Sequence, residues 1–220
     1  MKKIVALLAG SLLAISAAQA GTVAASAATT GDPTTNWTKT LSLQQFNNAL
    51  GTLTQVVFNY GGNITSIFRE ESLDAAPATI TVNAAGNLVF GLPISSTLNF
   101  SNSASQNVTA FDGNINFSGT SGFGPTTVVA TNSGTSTFTS GLSTFVGLGT
   151  YAVTVNANAT SGATGAGNLV SQINTAAAAN INVIYTFTEA PRQIPEPGSL
   201  ALLGLALAGL GVMRLKSAKA

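Results

Sequence analysis

The chain has 220 residues, a formal net charge of +1 and only 7% charged residues, and it contains neither cysteine nor histidine. The lack of cysteine excludes disulfides and thiol nucleophiles, and the lack of histidine excludes Ser-His-Asp triads and the usual zinc sites. Between residues 21 and 192 only three basic residues stand beside six acidic ones, so the positive charge lies in the terminal segments. We therefore expect no nucleic-acid partner.

The first twenty residues have the three parts of a secretory signal peptide. Lys2 and Lys3 are basic, residues 4–17 are apolar, and Ala18-Gln19-Ala20 is a small-x-small cleavage site. The apolar run is shorter than the roughly 20 residues that a spanning helix needs. We predict an N-terminal signal helix over residues 1–20 that enters the export translocon. Signal peptidase would then cut after it, with Ala18 and Ala20 as the recognised small residues; a permanent anchor is the alternative.

The segment that follows, residues 21–36, is small and polar, and it is predicted to be a flexible lead-in. Residues 37–190 then alternate short apolar runs with turn residues. A side-chain period of two is typical of strands with one wet face, and many such strands favour a sandwich. The predicted fold is all-β, an antiparallel β-sandwich of jelly-roll or immunoglobulin-like form. The strands are expected at residues 55–60, 64–68, 79–83, 87–90, 151–156 and 181–188.

Three places along this domain are harder to interpret. Gly61-Gly62-Asn63 is predicted to break one strand, and Ala84-Ala85-Gly86 is predicted to form a hairpin turn. Residues 168–180 place Leu169, Val170 and Ile173 at helical spacing before four alanines. This stretch fits either a short helix or a loosely packed strand.

Carboxylates are the remaining candidates for chemistry. Glu70 and Glu71 lie beside Arg69 and Asp74, and the favoured interpretation is a solvated turn after the preceding strand. The alternative pairs one of them with Asp112 or Glu189 as the acid and base of a glycosidase. Such clefts also need aromatic sugar platforms, and the single tryptophan, Trp37, lies near the domain edge. We therefore predict no enzyme activity, no catalytic residues and no cofactor, with a secreted carboxylate-based glycan hydrolase as the alternative.

Residues 112–116 read Asp-Gly-Asn-Ile-Asn and offer oxygen ligands at alternate positions, as calcium loops do. Phe117 stands where the sharp-turn glycine belongs, and Phe123 stands where a bidentate glutamate would close the site. A hairpin turn at Asp112-Gly113, between strands at 107–111 and 115–117, is the better interpretation. We predict no metal site.

The C-terminal region changes character at residue 191. Residues 191–198 form a Pro-rich linker, in which two prolines hold an extended backbone that is accessible to a protease. Residues 199–213 carry no charge and are predicted to be a transmembrane helix of roughly 25 Å, slightly short of a bilayer core of about 30 Å. Residues 214–220, with Arg214 and Lys216, are predicted to be a basic cytoplasmic tail.

Pro195-Glu196-Pro197 with Gly198, an apolar stretch and the basic residues Arg214 and Lys216 follow one another at the C-terminus. In this order and place they resemble the PEP-CTERM sorting signal. The resemblance implies recognition by an exosortase, a membrane-embedded enzyme, after a transient inner-membrane stage in a Gram-negative bacterium that makes exopolysaccharide. The Pro-Glu-Pro residues would then be substrate positions of that enzyme.

A second resemblance covers roughly residues 40–190. The segment from Phe46 to Leu53, the strand at 55–60 and the strand at 183–188 are similar to the choice-of-anchor E domain. That family usually has Phe-Asp where this chain has Phe46-Asn47. Its members precede differing surface-anchoring tails, and no activity is established for the family.

Together these features predict an exported structural protein of the cell surface or extracellular matrix that associates with exopolysaccharide or biofilm. The Thr, Ser and Asn residues of the wet strand faces would hydrogen-bond the polysaccharide. A permanently tethered envelope protein that no exosortase processes remains the alternative.

Overall fold

The computed structural model describes residues 19–29, 35–190 and 204–208. The chain divides into two units, a body of Gln19–Glu189 and a second unit of Met1–Ala18 with Ala190–Ala220. In the second unit residues 204–208 are helical and exposed. Within the described residues no helix has the length and apolarity to cross a membrane, so the transmembrane helix predicted over 199–213 finds no support there. The signal helix predicted over 1–20 falls almost wholly outside the described residues.

The body is a sandwich of two antiparallel four-stranded sheets. The strands are β1 Ala20–Ala28, β2 Trp37–Gln44, β3 Gly51–Ser72, β4 Ala78–Phe90, β5 Ser96–Val108, β6 Gly122–Phe138, β7 Thr150–Thr164 and β8 Leu169–Glu189. Sheet A has the order β1-β8-β3-β6 and sheet B has the order β2-β7-β4-β5. The predicted β-sandwich is thus confirmed.

Alternation along each strand decides which side chains form the core, as the sequence predicted. On β3 the even positions Val56, Phe58 and Ile64 are fully buried, while the odd positions from 55 to 69, except Gly61, are only partly buried. The inner residues form two hydrophobic clusters, a larger one around Phe58 and a smaller one around Phe68. Burial of this apolar surface is the main stabilising contribution in such a fold.

Hydroxyl groups connect the two sheets near the junction of the clusters. Ser66 of β3 is fully buried, and its Oγ lies 2.9 Å from Oγ1 of Thr175 on β8. Thr175 Oγ1 also lies 2.9 Å from Oγ of Ser161 on β7, in the opposite sheet. These contacts satisfy polar groups that would otherwise be costly to bury.

Both glycine-containing breaks that the sequence predicted are wrong, because β3 and β4 run straight through them. A side chain at Gly62 would overlap the Ala178 carbonyl and Leu88, and one at Gly86 would overlap the Asn158 carbonyl. These glycines therefore allow neighbouring strands and side chains to approach closely within a continuous sheet.

Two further segments are strands. Residues 168–180, left open between helix and strand, belong mostly to β8, since their alanines fit the narrow space beside β3. The predicted flexible lead-in at 21–36 is corrected over its first part, because residues 20–28 form β1 and pair with β8. Val23 and Ala27 alternate with exposed residues there, and this pattern suits an edge strand.

Candidate functional site

The acidic residues that the sequence placed in a solvated turn lie at the end of β3 instead. Glu70 and Glu71 are both fully buried, which corrects the prediction of a solvated turn. Glu70 shares the inner face with Phe68, and Glu71 lies on the outer face beneath the loop of residues 109–121. The β3–β6 register shifts between Phe68 and Glu70. The alternation along β3 does not predict that both faces of the strand are buried here, because the loop that covers Glu71 is distant in the sequence.

Glu71 holds this loop in place. Its Oε2 accepts hydrogen bonds from the backbone N–H groups of Asn116 (3.2 Å) and Phe117 (2.6 Å), and its Oε1 accepts one from the Ser121 hydroxyl (2.6 Å). Three donors on one buried carboxylate are the pattern expected where loop backbone lacks partners in secondary structure. Glu71 therefore acts as a structural tie.

Asp74 ties down the turn between β7 and β8 in the same way. Its two carboxylate oxygens accept the backbone N–H groups of Gly167 (2.6 Å) and Asn168 (2.9 Å). Its own carbonyl accepts the N–H of Phe111, which links the turn to the 109–121 loop. Asp74 is therefore committed to backbone donors on a neighbouring turn.

Asp112 lies within the loop, so the hairpin predicted there is wrong. Its Oδ1 accepts the Asn114 N–H at 2.9 Å, and Gly113 adopts a φ of +95°. This is a local side-chain turn, in which the carboxylate takes the place of a backbone acceptor. β5 ends at Val108 and β6 begins at Gly122, so no strands flank the turn. In the described part of the chain no three acidic, cysteine or histidine residues cluster in a way that could hold a metal.

Glu70 differs from its neighbours because one of its oxygens has no partner. Its Oε2 interacts with the Ser171 hydroxyl on β8, while its buried Oε1 has no hydrogen bond. Burial raises the pKa of Glu70 above its usual value of 4.5, and the Ser171 hydrogen bond offsets part of this rise. A buried carboxyl with a raised pKa is a general-acid candidate in a cleft, although structural groups show the same shift.

The structure does not bring Glu70 and Glu189 together as an acid–base pair. Glu70 is paired with Ser171, whereas Glu189 is paired with Gly51 at the opposite end of β3. At about 3.3 Å per residue these two carboxylates lie roughly 60 Å apart. Glycosidases hold their two carboxyl groups within roughly 10 Å of each other. The pairing of Glu70 or Glu71 with Glu189 is therefore wrong.

Trp37 is poorly placed to serve as a sugar platform. It begins β2 at the edge of sheet B, half buried, with its indole nitrogen buried and without a hydrogen-bond partner. The Lys39 ammonium lies 5.3 Å from the ring centroid, over one face of the indole. That face is therefore occupied by a cation, and stacking of a sugar on it would require Lys39 to move.

A groove lined by amide side chains and glycines lies on sheet A and was not predicted from the sequence. It has a volume of about 410 Å³ and crosses β3, β6 and β8 where Gly61 leaves a gap between side chains. We call it the amide groove; its lining includes Asn59, Gly61, Asn132, Thr135, Asn180 and Asn182. Thr135 donates to the Asn59 side chain at 3.0 Å. The Gly61-Gly62 pair was the available signal, but it was interpreted as a strand break.

The two chain ends leave the body side by side. β1 begins at Ala20 and β8 ends at Glu189, and the Glu189 N–H donates to the Gln19 carbonyl at 2.9 Å. Of the predicted processing residues, Ala20 is the first residue of the edge strand β1. Ala18 and the sorting residues Pro195, Glu196, Pro197, Gly198, Arg214 and Lys216 lie outside the described residues.

Comparison with known proteins gives one clear result. The PEP-CTERM protein-sorting motif matches residues 193–215, which confirms the sorting signal identified in the sequence. The motif implies an exported protein that is directed to an exosortase and to the cell surface in Gram-negative bacteria. No curated protein matches the chain.

Solved structures with some likeness are viral. They include the structure of infectious bursal disease virus Gt strain (14% identity, TM-score 0.13) and that of T=1 particles derived from infectious bursal virus (10% identity, TM-score 0.09). In both cases the match covers 86% of this chain, and the chain spans about half the length of the viral chains, at 47%. Such low scores carry no argument about this protein.

Proposed function

We propose that this chain is a non-enzymatic structural protein of the cell surface or extracellular matrix, released from the inner membrane by an exosortase. The observation that carries the proposal is the sorting motif at 193–215, which begins a few residues after β8 ends at Glu189. The adjacent chain ends support it, because both processing segments would leave the sandwich at the same end. The motif lies outside the eight strands of the body, so cleavage within it would cut no strand of the sandwich.

The buried carboxylates favour a structural role over the hydrolase alternative. Asp74 accepts two backbone N–H groups, Glu71 accepts two backbone N–H groups and the Ser121 hydroxyl, and Oε1 of Glu70 has no hydrogen-bond partner. The order of the eight strands in two sheets supports the jelly-roll form of the sandwich. We also retain the choice-of-anchor E assignment here as a proposal. It is based on the Phe46–Leu53 segment, where Phe46 is buried and Leu53 packs against the core.

The sorting step is tested by replacing Pro195, Glu196 and Pro197 with alanine in a native host that has an exosortase. We expect the wild-type protein to lose its C-terminal segment, and the variant to keep Ala220 and stay in the membrane fraction. Pro191→Ala, which removes a proline outside the matched motif, is the control and should be processed normally. Intact-mass spectrometry measures the outcome. A wild-type protein that retains Ala220 would show a permanently tethered envelope protein instead.

We further propose that the amide groove contacts neutral exopolysaccharide. The side chains that line it are uncharged amides and hydroxyls, and Gly61 leaves room for a sugar to approach the backbone. Retention of the protein on host polysaccharide should weaken with Asn180→Ala. Asn83→Ala, an exposed change on the outer face of sheet B, should leave it unaltered. Equal retention of both variants, or retention no better than that of an unrelated sandwich, would remove this part of the proposal.

A further inference from the structure

Among the described strands β1 pairs with β8 alone, so it is an edge strand whose outer side carries a row of backbone hydrogen-bonding groups without a ladder partner there. The Glu189 N–H donates to the Gln19 carbonyl, and the Thr29 N–H donates to the Ala179 carbonyl. In an antiparallel ladder the inward-bonding residues alternate, so the odd residues from 19 to 29 bond to β8. The N–H and C=O groups of the even residues therefore point to the open edge. These residues are Ala20, Thr22, Ala24, Ser26 and Ala28, and all of their side chains are exposed.

The other three edges carry features that discourage pairing. β5 and β6 are joined to each other by side-chain amides, since Asn102 donates to the Val129 carbonyl at 2.7 Å and Asn132 donates to the Asn99 carbonyl at 2.8 Å. β2 carries Lys39, and an edge lysine is a common barrier to strand addition. These contacts and charges make those edges unfavourable for a further strand.

β1 has none of these features. Its sequence, AGTVAASAA, contains no charge and no proline, and its largest side chain is Val23. In the described part of the chain no side chain caps an outward-facing backbone group of this strand; the Asn182 amide donates to the Ala25 carbonyl, on the side that faces β8. Long uncharged edges of this kind are templates for another strand.

The strand is also complementary to itself. Signal cleavage after Ala20 would remove that residue, so the exported strand begins at Gly21. An antiparallel copy related by a two-fold axis at Ala24 then places Ala24 opposite Ala24 and Thr22 opposite Ser26. The outward-facing N–H and C=O groups of these residues meet partners in the second strand. The side chains brought together are small, so they allow the two backbones to approach closely.

We infer that two copies of this chain associate through β1, joining their A sheets into one continuous antiparallel sheet. The contact is isologous, with the same strand contributed by both copies, and such contacts close into dimers. The inference is independent of which polysaccharide or surface the protein meets, and it does not depend on cleavage by an exosortase.

Disulfide trapping tests the register. The chain has no cysteine, so Ala24→Cys introduces the only thiol. Paired Cα atoms of a hydrogen-bonded antiparallel pair lie about 5.5 Å apart, within the range that a disulfide spans. Mild oxidation of the full-length protein in its native cells should therefore yield a covalent dimer. Ser101→Cys, exposed on edge strand β5, is the matched control and should stay monomeric. Similar dimer yields for both variants, or none for either, overturn the inference.

A charge variant tests the dimer without covalent cross-linking. Ala24→Lys opposes two ammonium groups across the axis, while its side chain remains exposed in the monomer. We expect wild type and Ser101→Lys to sediment as dimers, and Ala24→Lys to dissociate at least roughly tenfold more readily with unchanged circular dichroism. A monomeric wild type, or a dimeric Ala24→Lys protein, overturns the inference. Export and tail processing of Ala24→Lys should remain normal, so a processing failure would count against the proposed function instead.

Discussion

The two ends of β3 stabilise the same sandwich by different means. At the end near Gly51 the strand packs into aromatic rings, which we call the aromatic end; Phe58 lies 5.5 Å from Phe145 and 5.9 Å from Phe138 between ring centroids. At the end near Ser72, the acidic end, Glu71 and Asp74 hold loops through backbone N–H groups. A single alternating strand can therefore be stabilised by hydrophobic burial at one of its ends and by buried carboxylates at the other.

The cause of the difference is what covers each end. At the aromatic end the connection between β6 and β7 contains the 3-10 helix Leu142–Phe145, which places Phe145 against Phe58 and Tyr151. Burial, with a smaller effect of Tyr151, raises the pKa of Tyr185 there to about 12, and its hydroxyl donates to the Gln44 carbonyl. At the acidic end the 109–121 loop has few ladder partners for its backbone, so carboxylates supply the acceptors.

Removal of a ring at the aromatic end should give the largest effect. Phe58→Ala leaves a cavity among fully buried neighbours, and we expect a loss of roughly 3–5 kcal/mol in the free energy of unfolding. Val57→Ala, on the outer face of the same strand, is the control and should cost about 1 kcal/mol or less. Urea unfolding of the processed protein measures both. Equal losses would show that the inner face is not the main source of stability at this end.

At the acidic end, Glu71→Gln should have the next largest effect. The amide offers only one acceptor oxygen, so at least one of the Asn116, Phe117 and Ser121 donors is left without a partner. We expect a loss of about 2–3 kcal/mol and faster amide hydrogen exchange in the 109–121 loop. Glu189→Gln, the same change on β8 beside the opposite end of β3, should lie within about 0.5 kcal/mol of wild type. A Glu71→Gln protein as stable as wild type would contradict the role of this carboxylate in holding the loop.

Glu70→Gln should give the smallest effect, and one that depends on pH. The raised pKa means that the folded protein keeps this proton to a higher pH than the unfolded chain does. Its contribution is therefore most favourable below the usual value of 4.5 and is lost as the pH rises through the raised pKa. We expect the stability of Glu70→Gln relative to wild type to increase over that interval. Thermal unfolding at several pH values measures this, and a constant difference would contradict it.

Sequence alone determined the features that depend on local pattern. Alternation identified the β-sandwich and the inner face of Val56, Phe58 and Tyr60, because a strand turns successive side chains to opposite faces. The order of the Pro-Glu-Pro triplet, apolar stretch and basic end identified the sorting signal at 193–215, since such a signal is contiguous in the chain.

Only the tertiary structure decided what depends on residues far apart in the chain. Glu71 is buried because a loop some 45 residues later covers it, and residues 20–28 are a strand because β8, from the other end of the chain, supplies the ladder. Gly62 and Gly86 lie within continuous strands, because neighbouring strands and side chains occupy the space that a side chain at these positions would need. Composition marks such residues as polar, small or flexible, whereas their role depends on which distant groups the fold brings against them.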